Sequence, residues 1–191
     1  HLRAEEPPPF QARLVKIANK KSEIGNQANA SEVCAEAQQL PFIVHKVDKK
    51  ERRRNPSPPF ITSTLQQEAF RRLRFLAAKT MRLAQRLYEG LEIGQEGSIG
   101  LITYMRTDST RISQEALEQA RRYILESYGE EYIPDKPNIY KSKKRSQDAH
   151  EAIRPTSAFR HPDHVRNYLQ QDEYQLYRLI WERFVACQMA S

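Results

Sequence analysis

Five stretches of the chain place apolar residues three and four positions apart, as on one face of a helix. Candidate N-caps at Ser31, Thr64 and Ser113 and a helix-ending glycine at Gly90 refine their limits. Helices are therefore predicted over residues 30–39, 64–74, 77–89, 113–128 and 172–189.

Strands are predicted where apolar and polar residues alternate, over residues 10–17 and 41–51. Glycines at three-residue intervals also punctuate short strands within residues 91–105. Two helices joined by a tight turn and followed by a hairpin form the order of a winged helix. The predicted fold class is therefore α+β, mostly α.

A change in composition at residues 51–59 marks the predicted domain boundary. A charged run, Glu-Arg-Arg-Arg-Asn, is followed there by Pro-Ser-Pro-Pro, which favours extended backbone. The sequence thus predicts one segment at residues 1–55 and a domain at residues 56–191. Because about 50 residues bury little core by themselves, we expect the first segment to be part of a larger domain with an exposed apolar edge.

The net charge of the chain favours one class of binding partner. Lys and Arg number 31 against 24 Asp and Glu, a net charge of +7 that favours polyanions such as DNA, RNA or an anionic membrane surface.

No apolar run approaches the ~18 residues of a membrane span, so a soluble cytoplasmic protein is expected. The two cysteines, Cys34 and Cys187, form no Cys-x-x-Cys motif, which argues against a disulfide framework or a thiolate metal site.

The most informative stretch is residues 100–110, which read Gly-Leu-Ile-Thr-Tyr-Met-Arg-Thr-Asp-Ser-Thr. Tyr104 and Arg106 lie two positions apart and would share one face of an extended strand. A neutral phenol attacks poorly, and a permanent positive charge beside it stabilises both a phenolate and an approaching phosphate. The ordinary alternative is a half-buried strand tyrosine beside a solvated arginine.

Residues 100–110 and a second motif at residues 147–156, Gln-Asp-Ala-His-Glu-Ala-Ile-Arg-Pro-Thr, resemble the bacterial type IA DNA topoisomerases. The resemblance spans most of residues 42–189 and is looser before them. It implies a winged-helix, CAP-like domain with an active-site tyrosine at residues 56–191, preceded by part of a β-rich arch domain at residues 1–55.

The resemblance also implies an enzyme, a type I topoisomerase. Such enzymes relax negatively supercoiled DNA by cutting one strand through a 5′-phosphotyrosine, passing a strand without ATP, and resealing. Carried over by motif, Tyr104 is the nucleophile, Arg106 contacts the scissile phosphate, and His150 assists there. The expected partner is a single-stranded segment of negatively supercoiled DNA, in the nucleoid of the cytoplasm, without membrane attachment.

Further DNA contacts are predicted around these motifs and in a basic run beside Tyr140. For the basic run, a solvated loop is an equally good interpretation. The predicted contact residues are Arg106, Thr107, Asp108, Lys141, Lys143, Lys144, Arg145 and Arg154.

The family also carries a Toprim domain whose Asp-x-Asp cluster and glutamate bind Mg²⁺. No Asp-x-Asp occurs in this sequence, so Mg²⁺ is expected on the Toprim domain of the full-length enzyme and no cofactor on this segment. His150-Glu151 does not extend to a zinc motif, since Arg154 stands where His-Glu-x-x-His needs its second histidine. The segment without its Toprim and remaining domains is expected not to cleave DNA.

Two other functions fit parts of the sequence. A winged-helix DNA-binding regulator would direct Gln85, Arg86 or their helix neighbours to bases and leave Tyr104 without a role. A protein-interaction segment would use the aromatic helix at residues 172–189 to dock a partner. Convergence of Tyr104, Arg106 and His150 on one surface would separate catalysis from both.

Overall fold

A computed structural model of the chain describes residues 13–41, 43–50, 53–140 and 150–191. The chain divides into two units, residues 1–51 and 52–191. It is α+β and mostly α, as predicted. The assignment of the two units to an arch domain and a tyrosine domain stays a prediction.

The first unit contains a small hairpin and one helix within its described residues. Strands β1 (Lys16–Ile17) and β2 (Lys20–Lys21) pair antiparallel, and helix α1 (Gln27–Gln38) follows. Asn26 caps α1 by accepting a hydrogen bond from the N–H of Asn29 at 2.8 Å. The predicted cap at Ser31 is therefore wrong, because an earlier and equally good capping residue begins the helix.

The strand predicted over residues 41–51 is also wrong, since residues 43–50 form no strand. Of the strand predicted over residues 10–17, the part that the structure describes forms only β1. Apolar side chains in residues 43–50 are exposed, and Ile43 reaches 82%. Alternation specifies a strand only where one face is covered and a neighbouring strand supplies hydrogen bonds.

The second unit begins its regular structure with helices α2 (Thr62–Leu73) and α3 (Ala77–Glu89). Helix α2 starts two residues before its predicted start, so Thr64 is not the N-cap. Instead its hydroxyl accepts a hydrogen bond from the N–H of Ile61 at 3.0 Å, which satisfies a free donor at the helix start. Helix α3 ends at Gly90, whose φ of 118° confirms the predicted glycine stop.

A hairpin of strands β3 (Leu91–Glu92) and β4 (Ser98–Ile99) follows α3, with Leu91 opposite Ile99. Two helices and then a hairpin is the predicted order. The classification of this arrangement as a winged helix stays a prediction.

The chain after β4 passes directly against the last turn of α3. A Cβ on Gly100 would lie 2.6 Å from the carbonyl oxygen of Tyr88, so only glycine allows this approach. The next residue, Leu101, donates its N–H to the carbonyl of Leu87 at 2.7 Å. The segment that leads to Tyr104 is therefore fixed to the end of α3.

Helices α4 (Gln114–Tyr128), α5 (Pro162–Val165) and α6 (Gln171–Cys187) complete the second unit. The predicted limits of α4 and α6 are confirmed to within two residues. The hydroxyl of Ser113 accepts the N–H of Ala116, which confirms the predicted cap of α4. In the described ranges, no helix combines the length and apolarity that crossing a bilayer requires.

The aromatic residues of α6 lie in the core of the second unit. The hydroxyl of Tyr177 donates to the carbonyl of Arg160 at 2.7 Å, and the indole N–H of Trp181 donates to the carbonyl of Ala158 at 2.9 Å. These bonds satisfy the polar atoms that burial would otherwise leave unpaired. The aromatic face is therefore covered by this chain, and the interpretation of it as a partner-docking face is wrong. Its buried aromatic residues are Tyr174, Tyr177, Trp181 and Phe184.

Two isolated bridges bring three distant segments together. Phe60 pairs with Ile153, and Ile102 pairs with Pro155. Residues around 102 and 153 are thereby placed beside the start of α2. This junction positions the candidate site.

Candidate active site

Tyr104 lies in a segment whose side chains alternate between core and surface. Met105 and Thr107 are buried, whereas Tyr104, Arg106 and Asp108 are exposed. The exposed positions are two apart, as predicted, although the segment is not a regular strand beyond the bridge at residue 102. The backbone is therefore held by other means.

Thr62, the first residue of α2, binds the backbone that follows Tyr104. Its hydroxyl donates to the carbonyl of Met105 at 2.8 Å and accepts the N–H of Thr107 at 2.9 Å. The N–H of Thr62 also donates to the carbonyl of Thr107 at 2.9 Å. The first residue of α2 is thus hydrogen-bonded to the residues that directly follow the candidate nucleophile.

Thr103, directly before Tyr104, forms hydrogen bonds with the backbone of the segment that follows His150. Its hydroxyl donates to the carbonyl of Ala152 at 2.7 Å and accepts the N–H of Arg154 at 3.0 Å. Its N–H donates to the carbonyl of Arg154 at 2.9 Å. Tyr104 is therefore flanked on both sides by hydrogen-bonded backbone.

The ring of Tyr104 lies between two other aromatic rings. Its centroid is 5.4 Å from that of Tyr88 and 5.9 Å from that of His150, with interplanar angles of 67° and 68°. Both contacts are edge-to-face, the favourable geometry for aromatic pairs. The side chain is 39% exposed, and its hydroxyl makes no hydrogen bond to the described residues. The phenol oxygen is free to contact a ligand.

The structure thus brings together two of the three predicted catalytic residues, Tyr104 and His150. Arg106 is exposed on the same alternating set as Tyr104 and makes no ion pair or hydrogen bond to the described residues. Asp108 is exposed in the same way. An uncommitted guanidinium can bind an anion without first breaking an internal contact.

Two of the predicted DNA contacts are engaged within the protein. The guanidinium of Arg154 lies 2.6 Å from the carboxylate of Glu151, also donates to the carbonyl of Pro155, and is 13% exposed. Thr107 is buried, and its hydroxyl accepts the N–H of Ser109 at 3.1 Å. Both side chains support the backbone around the site, and a DNA contact from either stays a prediction.

The remaining predicted DNA contacts, Lys141, Lys143, Lys144 and Arg145, lie outside the described residues. Within the described residues, no group of three or more His, Cys, Asp or Glu side chains could hold a metal ion. The described residues therefore offer no cage of three protein ligands for an ion such as Mg²⁺.

Two of the residues that a regulator would direct to bases, Gln85 and Arg86, make contacts within the protein. Gln85 donates to Glu89, one turn further along α3. Arg86 lies 3.0 Å from the buried carboxylate of Glu173 on α6, a charge contact without hydrogen-bond geometry. These two contacts disfavour base recognition by Gln85 and Arg86.

Sequence reasoning missed three residues that shape the site. Thr62 and Thr103 act through hydrogen bonds to distant backbone, for which a single sequence carries no local signal. Tyr88 follows the buried Ala84 by four residues, the spacing of one helix face, yet it is 41% exposed. Its position two residues before the helix-ending Gly90 is the one local sign that it could leave the core.

Replacing Thr62 with valine is expected to lower the free energy of unfolding by about 1–3 kcal/mol. Valine keeps the shape but removes the hydroxyl, which leaves the N–H of Thr107 without its partner. Denaturant unfolding and amide exchange at Thr107 measure the effect. Ser63→Ala, an exposed change one residue away, is the control. Unchanged stability and exchange in Thr62→Val would contradict the role assigned to this hydroxyl.

Comparison with known proteins places these features in a family context. A family model described as DNA topoisomerase matches residues 4–191. DNA topoisomerase 1 of Xylella fastidiosa strain Temecula1 is 51% identical over 187 residues, which are 94% of this chain and 23% of that protein. The corresponding enzyme of Rickettsia felis is 50% identical over 186 residues, covering 95% of this chain and 24% of its own length.

A solved structure shows the same similarity in three dimensions. Full-length topoisomerase I from Thermotoga maritima matches with a TM-score of 0.68 and 44% sequence identity. The match covers 91% of this chain and 26% of that protein. The chain spans about a quarter of the length of the relatives it matches.

Proposed function

This chain belongs to the bacterial type IA DNA topoisomerase family, and on that premise we propose that it supplies the nucleophile that cuts one DNA strand. The full-length protein would relax negatively supercoiled DNA by transient cleavage, strand passage and religation. Its substrate would be a single-stranded segment of DNA in the cytoplasm. The chain alone would not cleave, because other domains of the full-length protein complete the site.

In the proposed reaction, the phenol oxygen of Tyr104 attacks the phosphorus of a backbone phosphodiester. A bond forms between that oxygen and phosphorus, and the bond from phosphorus to the 3′ oxygen of the preceding nucleotide breaks. The phenol loses its proton and the departing 3′ oxygen gains one. Since one phosphate ester replaces another, religation is the reverse attack by the 3′ hydroxyl and needs no ATP.

The single observation that carries this proposal is the placement of Tyr104. It is exposed, its oxygen is uncommitted, and its backbone is fixed on both sides. Two other phenols contrast with it. Burial raises the pKa of Tyr140 to about 12, and Tyr177 is buried with its pKa raised for the same reason. Both hydroxyls donate to backbone carbonyls, so both are engaged within the protein, in contrast to that of Tyr104.

Arg106 and His150 are proposed to act on the phosphate. In phosphoryl transfer, negative charge spreads over the non-bridging oxygens and is stabilised by positioned donors. The fork of Arg106 suits two of these oxygens, and the imidazole of His150 supplies a further donor beside the Tyr104 ring. Mg²⁺ would be bound by the family's Toprim domain, elsewhere in the full-length protein.

Trapping the covalent adduct tests this function. The chain would replace the matching segment of full-length topoisomerase I from T. maritima, and the chimera would be mixed with labelled single-stranded oligonucleotides. Cleavage as proposed leaves a 3′-labelled strand on the protein after denaturation and releases a 5′-labelled strand. Peptide mapping should place the DNA on Tyr104. An adduct that retains the 5′ label, or one on another residue, would refute the proposal.

The isolated chain is expected to bind single-stranded DNA weakly and without strong sequence preference. Net charge of +7 supplies attraction to phosphates but no base code. With about three phosphate contacts, affinity should fall about tenfold or more between about 50 and 200 mM salt. Fluorescence anisotropy with oligonucleotides of different sequence measures both properties. Discrimination of ~10³ between sequences would favour the regulator instead.

A further inference from the structure

We propose that Tyr88 is a positioning residue that sets the orientation of the Tyr104 ring for attack. This inference rests on the proposed function, in which Tyr104 is the nucleophile. Tyr88 lies at the end of α3, outside the motifs in residues 100–110 and 147–156 that identify the site.

The backbone of Tyr104 is fixed, but its side chain is not fixed by hydrogen bonds. Thr62 and Thr103 bind the neighbouring backbone, which leaves two side-chain torsions to be set by packing. Within the described residues, the rings that meet Tyr104 edge-on are those of Tyr88 and His150. Both rings therefore restrict the orientation of the Tyr104 side chain.

Of these two rings, that of Tyr88 is carried by a regular helix, α3. His150 lies in a segment without regular secondary structure. Tyr88 is in the last turn of α3, next to the buried Leu87, and its carbonyl lies against Gly100. The hydrogen bond from Leu101 to Leu87 links that turn directly to the segment that carries Tyr104. Ring and nucleophile thus belong to one hydrogen-bonded unit.

Orientation matters because in-line attack requires the phenol oxygen to face phosphorus opposite the departing oxygen. Removing the Tyr88 ring would let Tyr104 sample other rotamers. Because an edge-to-face pair is weak, we expect the cleavage rate constant to fall about fivefold to tenfold rather than vanish. DNA affinity should not change, since Tyr88 acts through Tyr104. If Tyr88 instead stacked a base, affinity would fall and the positioning role would be overturned.

The first test uses the chain itself and needs no activity. Fluorotyrosine at position 104 reports the surroundings of that ring by fluorine NMR. In Tyr88→Leu, the signal should move toward that of free fluorotyrosine, whereas Tyr88→Phe should keep the original signal. Tyr132→Leu is the matched control, since Tyr132 is 46% exposed and its recorded ring contact is with Tyr128. An unchanged signal in Tyr88→Leu would overturn the proposal.

If Tyr88→Leu does not fold, Tyr88→Met is the second variant, because methionine also has good helix propensity. The same shift of the fluorine signal is expected from it.

The second test measures single-turnover cleavage in the T. maritima chimera. Tyr88→Leu should lower the rate constant for cleavage about fivefold to tenfold at unchanged DNA affinity. Tyr88→Phe, which keeps the ring, should cleave at the rate of the unsubstituted chimera. Wild-type rate in Tyr88→Leu would overturn the positioning role and leave the proposed function standing. Failure of the unsubstituted chimera to form an adduct on Tyr104 would instead count against the proposed function, and so also against a role of Tyr88 in attack.

Discussion

Phenylalanine at position 104 is expected to abolish formation of the covalent DNA adduct. The substitution removes the only oxygen of this side chain, so no ester can form. It keeps the ring and therefore both edge-to-face contacts, with Tyr88 and with His150. Because the hydroxyl makes no hydrogen bond to the described residues, the melting temperature should barely change. Adduct formation in the chimera and thermal unfolding of the chain measure the two effects.

The matched control is Tyr88→Phe, the same chemical change on the neighbouring ring. It should leave the adduct intact. An adduct that persists in Tyr104→Phe would place the nucleophile elsewhere, with Tyr88 the first candidate at 5.4 Å between ring centroids. An adduct lost from both variants would show that a phenol other than Tyr104 also has an essential part.

Lysine at position 106 is expected to slow cleavage by about 10²-fold, comparable to removing a strong transition-state donor. Lysine keeps one positive charge but cannot make the planar, two-pronged contact of a guanidinium with phosphate oxygens. The stability of the chain should not change, because Arg106 has no internal partner within the described residues. Single-turnover cleavage and DNA affinity, measured separately, assign the loss to the chemical step or to binding.

Arg111→Lys is the control for this substitution, since Arg111 is exposed and lies nearby along the chain. It should cleave at close to the unsubstituted rate. A rate for Arg106→Lys within about twofold of the unsubstituted chimera would remove Arg106 from the transition state and leave it, at most, a charge that attracts DNA.

The main helices were predictable because their signals are local. Ser113 caps α4 and Gly90 ends α3, and both act within a few residues of their own position. The spacing of apolar residues that predicts α6 is a local signal as well. Such signals need only the geometry of one helix.

The strand predicted over residues 41–51 failed because its signal is not local. The alternation through Phe42, Val44 and Val47 predicts a strand, but strand formation requires a partner. Within residues 43–50, Val44 and Val47 remain exposed and no pairing forms. The same reasoning explains why Tyr104 lies in an extended segment rather than a regular strand.

The fold class, the main helices and the two-residue spacing that exposes both Tyr104 and Arg106 follow from the amino-acid sequence. Tertiary structure alone decided which neighbours matter. It committed Arg154 to Glu151 and placed Tyr88 and His150 against the Tyr104 ring. The physical reason is range: caps and periodicity act over one or two helical turns, whereas these contacts join residues far apart in the chain and depend on how the helices pack.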